Sequence, residues 1–104
     1  MDIIENLEKL LAQGQDNALI HYSLGNEYLR EKDFVEAIKH LIRAVELDPD
    51  YSAAWKLYGK VLAGNNQIND AIKAYEKGIS VAEKKGDIQA AKEMKVFLKR
   101  LKKQ

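Results

Sequence analysis

The sequence predicts an all-α protein of about six antiparallel helices stacked side by side. Residue types recur at an offset of 34 positions, apolar residues fall three and four apart through most of the chain, and Gly, Asn, Asp and one Pro interrupt that pattern at regular intervals. No stretch shows the strict alternation of a half-buried strand.

Shifting the sequence by 34 residues sets Gly25 on Gly59, Ala37 on Ala71, Ile38 on Ile72 and Lys39 on Lys73. Leu24 meets Tyr58, Tyr28 meets Leu62, Leu41 meets Tyr75, Ala44 meets Gly78 and Val45 meets Ile79. Residues 18–51 and 52–85 therefore read as tandem copies of one helix–turn–helix unit. In the first copy a helix from Ala18 to about Arg30 gives way to a tight turn at Glu31-Lys32-Asp33. Asp33, with Glu36 three residues on, has the spacing of a capping box for the next helix. That helix stops at Leu47, because Pro49 pushes its predecessor out of the helical region. In the second copy a helix begins near Tyr51 or Ser52 and ends at the turn cluster Gly64-Asn65-Asn66. Asn69 is the expected cap of the following helix.

The recurring residues suit close helix packing. Gly25 and Gly59 remove a side chain where two helices would cross, and Ala37 and Ala71 are the small residues opposite. Tyr28, Leu41, Leu62 and Tyr75 fill the space around these contacts, and Ala44 and Gly78 leave room for a further helix. Neither copy buries its apolar face alone, so neighbours must stack.

The motifs Leu24-Gly25-x-x-Tyr28, Ala37-x-x-x-Leu41, Ala44 and Pro49, and then Trp55-x-x-Tyr58-Gly59-x-x-Leu62, Ala71-x-x-x-Tyr75 and Gly78, resemble the tetratricopeptide repeat family. The likeness spans residues 18–85 and implies a small stand-alone two-repeat protein wound as a right-handed α-α superhelix. Two positions depart from the family pattern: His21 stands where Trp is usual, and Glu83 where Pro is usual. Without that proline the last repeat helix is expected to run on to Lys85 and end at Gly86, with Lys84 and Lys85 favourably placed in its last turn.

The two ends read as capping helices of one domain, residues 1–14 and 86–104. At the N-terminus Asp2 and Glu5 have capping-box spacing, Ile3, Ile4, Leu7, Leu10 and Leu11 lie at helical intervals, and Gly14 ends the run. Its acidic character argues against docking on an anionic membrane. At the C-terminus Asp87 is the expected cap of a helix whose apolar stripe is Ile88, Ala91, Met94, Phe97, Leu98 and Leu101. Its opposite face carries Lys92, Lys95, Lys99, Arg100 and Lys102.

Composition narrows the function. With 46% apolar and 32% charged residues, the chain is neither disordered nor membrane-spanning. Cysteine is absent, which excludes disulfides, thiolate catalysis and Cys-based zinc sites. The acidic, amphipathic N-terminus is unlike a secretory signal, so a soluble, cytoplasmic protein is expected. Charge is unevenly spread: 11 acids and 5 bases in residues 1–50, against 2 acids and 8 bases in residues 84–104. This polarity raises two alternatives: self-assembly through oppositely charged ends, and nucleic-acid contact by the basic helix. The absence of interleaved exposed aromatics argues against the second.

No catalytic, cofactor-binding or metal-binding constellation is legible. His21 and His40 fall on different helices without the spacing of a metal motif, and His21 reads as a packing residue. Phosphate-binding glycine loops are missing, and Ser23, Ser52 and Ser80 have no paired histidine. The protein is expected not to be an enzyme.

The resemblance implies a concave groove lined by the first helix of each repeat. It assigns Leu19, Tyr22, Asn26, Leu29 and Arg30 from the first copy, and Ala53, Lys56, Lys60 and Ala63 from the second. Helical spacing places each set on one face, away from Gly25, Tyr28, Gly59 and Leu62. With an aromatic, an amide and three cations, the groove suits an unidentified protein or peptide partner of acidic character. The carboxylate clamp of one branch of the family is not expected: only Asn26 matches it, while Tyr22, Leu57, Asp87 and Ala91 stand where its other members would be. A monomer or a weak homo-oligomer is expected.

Overall fold

The computed structural model describes residues 2–103; Met1 and Gln104, the outermost residues of the two end segments, lie outside the described part. Six α-helices and no strands make up the described residues: α1 (Ile3–Ala12), α2 (Ala18–Arg30), α3 (Phe34–Leu47), α4 (Ser52–Gly64), α5 (Ile68–Lys85) and α6 (Ile88–Lys102). The molecule measures 41 × 28 × 19 Å.

Short polar side chains start four of the helices by accepting backbone N–H groups that have no partner inside the helix. Asp2 accepts from Ile4, Asn17 from Ile20, Asp33 from Glu36 and Asp87 from Ala90. The expected cap at Asn69 is corrected: α5 begins at Ile68 after Gln67, which makes no side-chain cap, and Asn69 lies in the first helical turn. The backbone of the preceding turn explains the shift. Asn66 takes a positive φ of 62°, and the Gln67 N–H bonds back to the Leu62 carbonyl at 2.8 Å. The first copy makes the same turn 34 residues earlier, with Lys32 at φ 58° and the Asp33 N–H on the Tyr28 carbonyl at 2.9 Å. Gly86, at φ 78°, ends α5 in the same left-handed manner, and the Asp87 N–H reaches the Ala82 carbonyl at 2.8 Å.

Each helix packs on its neighbour in sequence, so α2 with α3 and α4 with α5 form two antiparallel hairpins. α2, α4 and α6 also meet one another in a row. The glycines sit where those hairpins close. A Cβ on Gly25 would stand 2.6 Å from Leu41 Cγ, and one on Gly59 would stand 2.5 Å from Tyr75 Cε1. At Gly78 a Cβ would meet Met94 Sδ at 2.5 Å and Trp55 Cβ at 2.8 Å, so this position admits both α4 and α6.

Burial follows the recurring positions: Leu24, Ala37, Leu41, Ala44, Ala71 and Tyr75 are all buried, as is Met94 of α6. The largest cluster joins Leu62, Ala71, Tyr75, Ala82, Ala91, Met94 and Leu101 across α4, α5 and α6. α1, by contrast, buries no residue completely, although its apolar stripe faces α2.

Candidate peptide-binding cleft

The row of α2, α4 and α6 leaves an open cleft of about 530 Å³. Its long wall is α4, which contributes Ala53, Lys56, Leu57, Lys60 and Ala63. Ala53, Lys56, Lys60 and Ala63 fall three to four residues apart, and Leu57 lies four after Ala53, so one broad helix face carries them all. α2 adds Tyr22, α5 adds Tyr75, and α6 forms the opposite wall with Glu93, Phe97, Arg100 and Leu101.

Of the residues predicted to line a groove, Tyr22, Ala53, Lys56, Lys60 and Ala63 border this cleft, and Leu19, Asn26, Leu29 and Arg30 do not. Leu19 is exposed at the start of α2, Leu29 packs against the buried cluster of Ala37, Leu41, Leu57 and Val61, and Arg30 points to solvent beside Glu27. Glu93, Phe97 and Arg100, which also line the cleft, belong to the segment 86–104 whose sequence predicts a capping helix. Their signal was available: α6 follows α5 as α4 follows α3, so its inner face must line the same side of the stack.

The cleft is apolar at its base and cationic at its rim. Leu57, Tyr75 and Leu101 are buried, and Tyr75 packs against Phe97 with ring centroids 5.8 Å apart. Burial pushes the Tyr75 phenol up to about 12, so it is neutral at physiological pH. On the rim Lys56 donates to Glu93 at 2.7 Å, and this contact holds the Glu93 carboxyl below the usual carboxylate range. Lys60 and Arg100 have no carboxylate partner among the described residues. Three cations against one carboxylate give the cleft an excess of positive charge.

Elsewhere on α6, Lys95 pairs with Glu83 at 2.8 Å and Lys102 with Glu76 at 3.6 Å, so part of the basic helix is satisfied within the chain. Among the described residues no group of three His, Cys, Asp or Glu side chains is placed to hold a metal, and no helix is long and apolar enough to cross a membrane.

Stacked helical hairpins that leave one row of helices open define a helical-repeat protein. The tetratricopeptide repeat pattern matches residues 18–51 and again residues 52–85, and the chain belongs to that family. It is similar to a TPR repeat-containing protein of Pseudomonas aeruginosa, with 50% identity over 95% of this chain and 94% of the relative. The solution structure of a Bordetella parapertussis protein superposes with a TM-score of 0.86 at 44% identity, covering 99% of this chain and 90% of that one. A tetratricopeptide repeat domain protein from Salinibacter ruber, also solved in solution, superposes with a TM-score of 0.77 at 27% identity, covering 83% of this chain and 87% of that one. Tetratricopeptide repeats generally mediate protein–protein interactions, and the family is a non-catalytic interaction scaffold.

Proposed function

We propose that this protein binds a short segment of another protein in the α4–α6 cleft, recognising an apolar side chain flanked by an acidic residue. The observation that carries this reading is the pairing of an apolar base with Lys60 and Arg100, two cations that have no carboxylate partner among the described residues. A volume of about 530 Å³ accommodates one or two side chains of a peptide. A carboxylate arriving at Lys60 or Arg100 makes charge-assisted hydrogen bonds without first breaking an internal ion pair, whereas one arriving at Lys56 must displace Glu93. The short array offers little area, so affinity depends on how well the anchor side chain is desolvated.

Selection of displayed random twelve-residue peptides tests this. The wild-type protein enriches sequences with Asp or Glu beside Phe, Leu or Met, and the Lys60→Glu/Arg100→Glu double variant loses them while keeping its helicity. Equal enrichment by the double variant places the binding surface elsewhere.

A further inference from the structure

His21 and His40, 19 residues apart and on different helices, meet in the interior with their Nδ1 atoms 3.0 Å apart. Both are buried, at 7% and 4% exposure. The surroundings are charged on every side. The segment before α2 brings Asp16, whose Oδ1 lies 2.6 Å from His21 Nε2 and whose Oδ2 takes a hydrogen bond from Arg43 of α3 at 2.9 Å. α1 brings Glu8, 3.4 Å from His40 Nε2, and α3 itself brings Glu36 at 3.8 Å. Lys39 of α3 lies nearby, and the Tyr28 ring of α2 stacks on His40.

The proton count follows from these partners. Arg43 and His21 hold the Asp16 carboxyl below the usual carboxylate range, so it is an acceptor and His21 Nε2 must be the donor. In the neutral pair His21 Nδ1 is then bare, and His40 Nδ1–H donates to it. That leaves His40 Nε2 bare as well, buried and facing only carboxylate oxygens; it is the one buried side-chain polar atom without a hydrogen-bond partner among the described residues. One further proton fills that position and gives Glu8 a donor. A second would set two N–H groups head to head at 3.0 Å, which the geometry forbids.

We infer that His21 and His40 form a single-proton site that fastens α1 to α3 through Glu8. α1 buries no residue and makes its helix contacts with α2, so the Glu8 carboxylate is its polar link to α3. Tyr28 and His21, both on α2, stack on the His40 ring at centroid distances of 5.6 and 5.2 Å. Burial, helped by His21 and Lys39, lowers the His40 pKa from its ordinary value, and Glu8 and Glu36 oppose that effect. Release of α1 removes one of the two opposing carboxylates while leaving the ring stacking in place. Protonation therefore tightens the docking of α1, and by linkage docked α1 raises the proton affinity by the same factor.

An NMR titration of the imidazole nitrogens in the full chain, with amide exchange measured in parallel, tests this. The wild type is expected to take up one proton, at the Nε2 of His40, with a single midpoint. Glu8→Gln lowers that midpoint by about one pH unit. Protection of the α1 amides, corrected for intrinsic exchange, rises about tenfold on protonation in the wild type and stays flat in Glu8→Gln. Glu36→Gln, which alters a carboxylate on α3 itself, keeps the rise. Two separate midpoints with two protons bound, an unchanged midpoint in Glu8→Gln, or α1 protection indifferent to pH would each overturn the inference.

Discussion

At the N-terminal end of the stack a buried histidine pair with charged neighbours bridges three helices; at the C-terminal end the residues buried between three helices are apolar. The pair His21–His40, with Asp16, Arg43 and Glu8, joins α1, α2 and α3. The corresponding positions of the second copy, 34 residues on, are Trp55 and Ala74, and there α4, α5 and α6 close around Tyr75, Met94 and Leu101. One hairpin design thus supports two kinds of interior. The polar one depends on protonation and holds its capping helix at the surface; the apolar one draws its capping helix into the core and makes it a wall of the cleft.

The contrast is sharpest in side-chain truncation. Met94 is fully buried against Gly78, so Met94→Ala should cost about 2–4 kcal/mol in urea unfolding. Leu10→Ala on α1, where no residue is fully buried, should cost about 1 kcal/mol or less. Similar costs at the two ends would erase the difference.

Alkali addresses the apolar end. The Tyr75 phenol is pushed to about 12, above its unfolded value of about 10. Stability it contributes is complete below pH 10 and is lost as pH rises toward 12, by about 2–3 kcal/mol in full. Unfolding curves at high pH should show this loss in the wild type and a smaller one in Tyr75→Phe.

Acid addresses the polar end. The folded pair binds at most one proton and the unfolded histidines bind two, so stability is present above the unfolded value of about 6.5 and falls below it. Each missing proton contributes a slope of about 1.4 kcal/mol per pH unit. His40→Ala, which places in the first copy the residue found at position 74, should flatten that slope between pH 6.5 and 5 in thermal unfolding. An unchanged slope would separate the acid response from the pair.

The smallest effect is expected at the rim. Lys56 and Glu93 are both partly exposed, so a double-mutant cycle on them should give less than about 1 kcal/mol of coupling.

Much of this architecture was legible in the sequence because it rests on local chemistry. Asp33 and Asp87 cap where expected, Gly86 ends α5 in the left-handed region, and the 34-residue offset located the close contacts of Gly25 with Leu41 and Gly59 with Tyr75. Asn69 misled because cap preference is weaker than the turn that Asn66 and Gln67 impose. The residue type of His40 gives no sign of burial, yet the same offset aligns it with buried Ala74, and it lies between Ala37 and Ala44 on the buried face. Its partnership with His21, Asp16 and Glu8 depends on three-dimensional approach, which spacing along the chain does not encode. The α6 wall of the cleft was obscured for a related reason: Phe97 and Arg100 carry no mark that separates a capping stripe from a cleft lining until α6 is set beside α4.

The most direct test of the cleft as the docking surface is chemical-shift mapping with the best-enriched acidic–apolar peptide from the selection. Perturbations are expected at Ala53, Lys60, Ala63, Phe97 and Arg100 and not along α1. Perturbations that cluster on the outer faces of α3 and α5, with those five residues unmoved, would contradict the account.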